Sequence, residues 1–353
     1  MTNPDPRVDE RDTMFARMER KAGTREYEDY YADRPRRRRK DDRLRSMPGL
    51  LHADAIHHDE AIGGEAQEWF DRIDRIELDP EEVERWADRL RGADDPTDVV
   101  HEMAISLGAV AAGCAPLDPA FVYTAKGRFD ADYGRGIDLE HPNAIVFLVE
   151  MDHAEMRHAP RAPVIRESAR QYYRGARISL VMEAAIAAAG FDAKAHYDAH
   201  YDVILPPLAV AAGLGEMGRH NILIADRYGS RVRIGAVTTD LPVRPGRPRS
   251  LGADRFCRIC LKCADSCPSR ALTRGEKEIV RGVAKWPTDV ERCVGYWCRV
   301  GTDCGVCMSV CPFSHGNNAF HNLVRWMVRR LPWFHRPLKW MDDLFYGRRW
   351  KGL

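Results

Sequence analysis

Nine of the ten cysteines in this chain fall between Cys257 and Cys311. Dense cysteines form disulfides in small secreted domains, whereas in a larger chain in a reducing compartment they indicate bound metal. The chain has 353 residues, and its N-terminal segment is polar, without the apolar stretch of a secretory signal. We therefore expect the cysteine-rich region to fold around metal, which restricts the fold more than any other feature of the sequence.

The first cysteine group has the spacing that binds a cubane four-iron, four-sulfur cluster. It reads C-x2-C-x2-C-x3-C-P and consists of Cys257, Cys260, Cys263, Cys267 and Pro268. A tight turn brings the first three thiolates to one cluster, and the longer last step directs the fourth thiolate to a neighbouring cluster. This spacing is highly specific, so it predicts a pair of 4Fe-4S clusters.

The second group repeats this motif without its first cysteine, because Gly301 stands in that position. A donor from elsewhere must complete the set, and Cys293 and Cys298 are both available. Crossed ligation then assigns Cys257, Cys260, Cys263 and Cys311 to one cluster, and Cys267, Cys304, Cys307 and the displaced cysteine to the other.

Zinc is the alternative explanation for these thiols. Structural zinc sites usually come as pairs of C-x2-C knuckles, and they do not need the proline that follows the last cysteine of each group here. The sequence therefore favours two clusters in series, which form a path for single electrons. Cys114 and the unused member of the Cys293 and Cys298 pair are expected to be buried thiols without a ligand role.

Charge and hydropathy exclude several other classes of protein. Lys and Arg number 54 against 53 Asp and Glu, so no global field attracts the chain to nucleic acid. No run of roughly 18 uncharged apolar residues marks an integral membrane segment. The basic run 36–40 is followed by Asp41 and Asp42, where an export signal needs apolar residues, so we interpret it as a solvated surface arm. These features predict a cytoplasmic protein.

Helix and strand patterns alternate upstream of the cysteines, which indicates an α/β body. Apolar periodicity predicts helices within residues 80–115, with starts at Asp79 or Pro80 and at Pro96, and a long helix over 165–189. Strands are expected at 144–149 and 231–238, with a weaker candidate at 121–123.

Several longer segments are distinctive. They read EYEDYYADRPRRRRKDDRLR, AIVFLVEMD, PPLAVAAGLGEMGRHNILIADRYGSRVRIGAVTTDLPV, FCRICLKCADSCP, CVGYWCRVGTDCGVCMSVCPFSH and DDLFYGRR. With these segments the sequence resembles the reductive dehalogenase family and, more distantly, epoxyqueuosine reductase. In both families the displaced cysteine sits in an Arg/Lys-Cys-x-x-Tyr context, which Arg292, Cys293 and Tyr296 match, so the resemblance favours Cys293 over Cys298.

The resemblance implies an α/β (α+β) fold with a nitroreductase-like cobalamin-binding core and a bacterial-ferredoxin-like two-cluster module. Cobalamin would bind base-off, without a protein ligand on cobalt, and the sequence lacks a base-on motif because Val203 stands where a glycine would follow Asp198 and His200. We divide the chain into an extended N-terminal arm (1–60), the cobalamin-binding core (61–245), the double 4Fe-4S module (246–318) and a tail that packs on the core (319–353).

The resemblance also implies a proton donor, a tyrosine on a helix four residues after a small hydroxyl residue. Ser168 and Tyr172 fit that spacing and lie on one helical face, and Tyr173 is the alternative. A basic residue beside the phenol lowers its pKa and stabilises the phenolate left after proton transfer. Arg231 and Arg233 fall in the matching region, two residues apart in a strand, and either can fill this role.

Further cofactor contacts follow from the same resemblance. The asparagine with which the family contacts cobalamin, just before the PLAV segment, is replaced near His200. Gly213, Gly215 and Gly218 resemble a dinucleotide fingerprint only superficially, since no strand and acidic residue stand where a Rossmann unit needs them. We attribute these glycines to close approach of the backbone to the corrin or to a plain tight turn.

The function expected from this resemblance is reductive removal of halide from a small organohalide, with electrons from a ferredoxin or flavodoxin-type donor. One alternative is an epoxyqueuosine-reductase-like deoxygenation of a modified nucleoside. Against it, Gln171 stands where that family places a carboxylate just before the tyrosine. A second alternative is an iron-sulfur electron-transfer protein without cobalamin.

Overall fold

The computed structural model of the protein describes residues 7–350. Its helices are α1 (Met14–Glu19), α2 (Arg25–Tyr31), α3 (Pro35–Arg45), α4 (Glu60–Asp71), α5 (Pro80–Arg91), α6 (Pro96–Ser106), α7 (His153–Met156), α8 (Ala162–Ala188), α9 (Leu205–Ala211), α10 (Ala253–Cys260), α11 (Lys262–Ser266), α12 (Val290–Val300), α13 (Val306–Ser309), α14 (Ala319–Arg330) and α15 (His335–Tyr346). Its strands are β1 (Ala111–Pro116), β2 (Asn143–Glu150), β3 (Ala193–His196), β4 (Gly215–Met217), β5 (Leu223–Ala225), β6 (Val232–Thr239), β7 (Glu278–Val280) and β8 (Val283–Lys285).

The core sheet has four strands in the order β1-β2-β6-β3, and each neighbouring pair is antiparallel. β2 and β6 form its centre, where Val149 lies opposite Arg233. Alternate residues of β2 face opposite sides: Phe147 packs into one apolar cluster and Val146 into another. The strand predicted at 144–149 from a continuous apolar run and the strand predicted at 231–238 from alternation are both confirmed.

Helix α8 is the longest element and packs on the sheet beside β2, β3 and β6. Its apolar face, with Ile178, Val181 and Met182, joins the cluster that contains Phe147. The helix ends before Gly190, whose φ of 98° favours glycine. The predicted long helix is confirmed, and so is a mixed helix and sheet fold.

Two local predictions are wrong. The helical region does not continue to residue 115, because α6 ends at Ser106 and residues 111–116 form β1. Gly108 follows with φ 107°, a conformation that ends the helix. The weaker strand candidate at 121–123 is a 3₁₀ turn over Pro119–Phe121 followed by one isolated bridge of Val122.

The described part of the N-terminal arm, from residue 7, contains the helices α1, α2 and α3, so the prediction of an extended arm is wrong there. Arg17 of α1 donates from Nε to Asp41 Oδ2 of α3 at 2.9 Å, and both side chains are buried. The basic run 36–40 lies within α3 and is held by ion pairs such as Lys40 with Glu291 of α12 at 2.9 Å. Pairs between charged residues fix this region, and an apolar pattern does not reveal them.

The cysteine-rich module follows the core. The tail packs against helix α10 of the module. α14 and α15 contact α10, and Val328 and Leu338 share an apolar cluster with Phe256 of the module and Ile224 of β5. The domain boundaries that we drew at 60, 245 and 318 stay predictions. Among residues 7–350 no helix combines the length and the apolar character needed to cross a bilayer.

Candidate functional site

Four thiols of the module line one cavity. Three come from the α10–α11 turn, which reverses at Leu261 with φ 58°, and the fourth comes from the end of the second cysteine motif. Burial raises the pKa of Cys257 to about 12, and the nearby Cys311 thiol acts in the same direction. Crossed ligation predicts this same set, which we call the outer set: Cys257, Cys260, Cys263 and Cys311.

A second set of thiols, the inner set, consists of Cys267, Cys293, Cys304 and Cys307. Burial raises the pKa of Cys293 to about 11, and the charge of Cys267 adds to this effect. Burial also raises the pKa of Cys304 to about 12, with further increases from Cys293 and Cys267. For Cys298, in contrast, burial alone raises the pKa. The structure therefore brings Cys293, and not Cys298, to the other three thiols.

The thiols form two neighbouring sets. Within the described part of the chain, no three His, Cys, Asp or Glu side chains are placed to hold one metal ion. The two sets adjoin, because Cys267 and Cys307 pack against an apolar cluster that contains Cys263.

Tyr172 of α8 and Arg233 of β6 form a stacked pair. Arg233 Cζ lies 4.6 Å from the centroid of the Tyr172 ring, which is a cation–π geometry. Burial raises the pKa of Tyr172, and the positive charge of Arg233 opposes that rise. A phenol in this setting is protonated at neutral pH, and its phenolate is stabilised by the adjacent cation. The pair can therefore hold and deliver a proton.

Ser168 and Asp303 complete a polar group around Arg233. Arg233 Nη2 donates to Asp303 Oδ2 at 2.7 Å and to Ser168 Oγ at 2.5 Å. The Ser168 hydroxyl donates to the same Asp303 oxygen at 2.5 Å. Asp303 directly precedes Cys304, so one peptide bond joins this polar group to the inner set.

Two buried polar atoms of this group have no hydrogen-bond partner, namely Arg233 Nε and Asp303 Oδ1. Leaving such an atom unpaired costs about 1–3 kcal/mol, so it can mark a place where a ligand binds. Asp198 adds a carboxyl group whose pKa lies above its usual value. Burial raises this pKa, and the charges of Arg128 and Arg233 offset part of the rise. The site thus offers a donor, an acceptor and protonatable groups to a polar ligand.

Arg231, the other predicted arginine, is 1% exposed, and its hydrogen bonds go to residues other than Tyr172. Its Nε donates to the Ser314 carbonyl at 2.7 Å, and its Nη1 donates to the Met151 carbonyl at 2.6 Å and to Glu150 Oε1 at 3.0 Å. These bonds tie the start of β6 to the cysteine module. Of the two arginines, Arg233 is the one that the structure brings to the tyrosine.

The alternative tyrosine, Tyr173, points to another side of α8. Its ring packs against Trp69 with the centroids 5.2 Å apart, and Arg72 Cζ lies 4.9 Å from its centroid. These contacts join α8 to α4 and its following turn. Tyr173 therefore has a packing role between α8 and α4.

His200 and the three glycines have protein neighbours. His200 stacks on Phe129, with centroids 5.0 Å apart. A Cβ on Gly213 would lie 2.5 Å from the Arg247 carbonyl oxygen, one on Gly215 would lie 2.3 Å from the Ile224 carbonyl oxygen, and one on Gly218 would lie 2.6 Å from the His220 ring. Close packing within the protein accounts for these glycines, which favours the tight-turn interpretation.

Asp303 and Asp198 were missed as site residues by sequence reasoning. Asp303 stands inside the second cysteine motif, where attention falls on the thiols, and its partner Arg233 is 70 positions away along the chain. Asp198 was noted only for the missing base-on motif. One feature of the sequence could have identified Asp303 as a site residue. It is a polar residue beside a cysteine of the second motif, in a segment that resembles the reductive dehalogenase family.

The cysteine module matches a family model described as a 4Fe-4S dicluster domain, over residues 256–315. The chain is also similar to tetrachloroethene reductive dehalogenase. It is 38% identical to the Sulfurospirillum multivorans protein in an alignment of length 149 that covers 40% of this chain and 30% of that protein. It is 26% identical to the Desulfitobacterium hafniense protein in a gapped alignment of length 324 that covers 78% of this chain and 58% of that protein.

The chain is also similar in fold to solved structures of reductive dehalogenases. The fold matches a catabolic reductive dehalogenase in complex with 3-bromo-4-hydroxybenzoic acid, with a TM-score of 0.74, 26% identity and coverage of 97% of this chain and 46% of that one. It also matches a reductive dehalogenase described in terms of B12-dependent dehalogenation, with a TM-score of 0.71, 26% identity and coverage of 87% and 46%.

Epoxyqueuosine reductase is a more distant relative. The protein of Lactococcus garvieae (strain Lg2) is 29% identical over 120 residues, 32% of this chain and 33% of that protein. The chain spans less than two thirds of the length of each of these relatives. The similarity to reductive dehalogenases is therefore in sequence, fold and cluster module.

Proposed function

We propose that this chain, similar to reductive dehalogenases in sequence and fold, replaces a halogen atom of a small organohalide by hydrogen. The balanced reaction converts R–X, two electrons and one proton into R–H and X⁻. One observation carries the proposal: the Tyr172 and Arg233 pair is linked through Asp303 to Cys304 of the inner set. A proton source and an electron path thus meet at one place.

The cofactors of this proposal fit the residues that are present. The outer and inner sets would hold two 4Fe-4S clusters that supply electrons one at a time. Cobalamin beside Tyr172 would supply the cobalt-centred redox chemistry of carbon–halogen cleavage, as in the B12-dependent relative. The unpaired Arg233 Nε and Asp303 Oδ1 fit a polar ligand at this position.

The side chains around the substrate then have separate tasks. Tyr172 is proposed to give its phenolic proton to the carbon that loses the halide, and the Arg233 guanidinium stabilises the phenolate that remains. Ser168 and Asp303 hold Arg233 in place through hydrogen bonds to Nη2. Asp303 therefore positions the proton donor's partner without contacting the phenol.

The remaining parts of the proposal concern partners and location. A ferredoxin or flavodoxin-type protein is proposed to reduce the outer cluster, because two clusters in series need a one-electron donor. We also propose a cytoplasmic location, since dense unpaired thiols require a reducing compartment. The substrate class follows the relative that was solved with a brominated hydroxybenzoic acid.

The experiment uses anaerobically reconstituted protein, with and without added cobalamin, and a strong chemical reductant. Chlorinated and brominated phenols are supplied, and the released halide is measured by ion chromatography. We expect halide release only with cobalamin. If the protein binds about eight irons but no cobalamin and releases no halide, it is an electron-transfer protein. If it turns over epoxyqueuosine and no organohalide, the epoxyqueuosine-reductase-like alternative is correct.

A further inference from the structure

The C-terminal hairpin, which we define as residues 319–350, exposes an unusual number of large apolar side chains. It comprises α14, the Pro332–Phe334 turn and α15. Trp333 is 76% exposed and Trp340 is 67% exposed. Other exposed members are Phe320, Leu323, Trp326, Leu344, Phe345 and Tyr346. Exposed apolar side chains in such number mark an interaction surface.

The same hairpin concentrates positive charge. It holds seven Lys or Arg against two Asp, whereas the whole chain has 54 against 53 acidic residues. Both aspartates are already paired: Asp342 is buried against Lys262, and Asp343 accepts from Lys339 at 2.5 Å. The surface that remains is apolar and cationic, which complements an acidic partner.

This surface lies beside the outer set of thiols. A groove is lined by Arg336, Lys339, Trp340 and Asp343 of α15, with Asp343 paired to Lys339, and by Ile259 of α10. Ile259 directly precedes Cys260, whose thiol lines the outer cavity. The floor of the groove is therefore part of the turn that binds the outer cluster.

A buried polar network fixes the hairpin to that turn. Asp342 of α15 pairs with Lys262, which lies between Cys260 and Cys263, and its other oxygen lies 2.6 Å from His315 Nε2. His315 follows Cys311 by four residues. The hairpin is thus held in a defined position over both segments that contribute to the outer set.

From these observations we propose that the C-terminal hairpin is the docking surface for an acidic one-electron carrier protein, with Arg336 and Trp340 at its centre. The inference rests on the proposed function, since it names the entry point of the electrons. In each encounter the carrier loses one electron and the outer cluster gains it, so two encounters supply one dehalogenation. A carrier that docks here would lie close to the outer cluster, because Ile259 of the groove directly precedes the proposed cluster ligand Cys260.

The test measures binding and electron transfer separately, with plant-type ferredoxin as the acidic probe. Calorimetry of the reconstituted protein with oxidised ferredoxin at low ionic strength gives the affinity. Stopped-flow absorbance with reduced ferredoxin gives the rate of cluster reduction. We expect Arg336→Glu to weaken binding and to slow reduction by about tenfold or more. Trp340→Ala should weaken binding without the same salt dependence.

The matched control is Arg85→Glu on α5, an exposed arginine on a helix whose contacts are with α6 and α8. It should bind ferredoxin like the unchanged protein. Halide release driven by dithionite should be the same in all three variants, because a small reductant needs no docking surface. If the unchanged protein releases no halide with dithionite, the proposed function is refuted. The measurement of ferredoxin binding would still test the docking proposal.

Two outcomes would overturn the docking proposal. One is equal ferredoxin affinity for Arg336→Glu and the unchanged protein. The other is a protein that binds vesicles of phosphatidylglycerol through the hairpin but does not bind ferredoxin. That result would assign the apolar and cationic surface to an anionic bilayer. Loss of ferredoxin binding in Arg336→Glu, with normal iron content and normal dithionite turnover, supports the proposal.

Discussion

Arg233 lies over the ring of Tyr172, with its Cζ 4.6 Å from the ring centroid. Burial of the phenol and the charge of the guanidinium act on the pKa of Tyr172 in opposite directions. The first keeps the proton on the phenol at neutral pH, and the second stabilises the phenolate once the proton has left. This balance is what a proton donor needs, and it makes the pair the centre of the predictions that follow.

Replacing Tyr172 by Phe should remove the proton donor and leave the fold unchanged. We expect halide release to fall by roughly 10²–10⁴-fold, the usual contribution of a positioned acid. Iron content and the electron paramagnetic resonance of both reduced clusters should not change. Tyr173→Phe is the matched control, because Tyr173 packs on Trp69 and should keep its activity. Normal turnover by Tyr172→Phe would remove Tyr172 from the mechanism.

Two substitutions should move the pH dependence in opposite directions. The donor works only when protonated, and burial places the pKa of Tyr172 above its usual value of 10.0, so activity should fall only at strongly alkaline pH. Arg233→Gln removes a charge that lowers this pKa, so the alkaline fall should move to higher pH. Asp303→Asn removes a charge that raises it, so the fall should move to lower pH. The measurement is kcat/KM against pH for each variant, and shifts of the same sign would contradict the assignment.

Arg231 should prove structural, in contrast to Arg233. Its guanidinium is buried and donates to two carbonyls and a carboxylate, so Arg231→Met leaves several acceptors unpaired. We expect this change to lower the free energy of unfolding by roughly 2–4 kcal/mol. Anaerobic guanidinium denaturation, followed by tryptophan fluorescence, measures the loss. Arg233→Met should lower the free energy of unfolding less than Arg231→Met does, and it should lower the rate of halide release more. The opposite result would show that Arg231 has the catalytic role and Arg233 the structural role.

The displaced cluster ligand can be tested by comparing two cysteines of the same helix. Cys293 and Cys298 both lie on α12, but only the Cys293 pKa is affected by a thiol of the inner set. Cys293→Ala should lower the iron content from about eight to about four per chain, or leave a degraded inner cluster. Cys298→Ala should retain all the iron. Full iron in Cys293→Ala, measured by colorimetric assay and magnetic resonance, would exclude it as a ligand.

Short-range patterns carried most of what could be predicted. The cysteine spacings predicted a two-cluster module, and the matching family model covers residues 256–315. A continuous apolar run predicted β2, and helical periodicity with Pro and Gly at the ends predicted α5, α6 and α8. Each of these signals depends on residues that are close together in the chain, so the sequence displays them directly.

Pairs that are distant in sequence could not be predicted. Arg17 and Asp41 are both buried, and neither belongs to an apolar pattern, so the N-terminal helices were expected to be an extended arm. The choice between Arg231 and Arg233 also had no local signal, since both are arginines near the start of one strand. Only tertiary contacts distinguish Arg233, which lies over the Tyr172 ring and donates to Asp303, 70 positions away.

Because Asp303 is joined to Cys304, the position of an acid–base group is coupled to a proposed cluster ligand. A cluster on Cys304 would add a further anchor to a segment that already holds Pro160 through Thr302 and Arg233 through Asp303. Maturation of the apoprotein should therefore finish the proton-delivery pocket and the electron path in a single event. Oxygen damage to the inner cluster would then disable both at once.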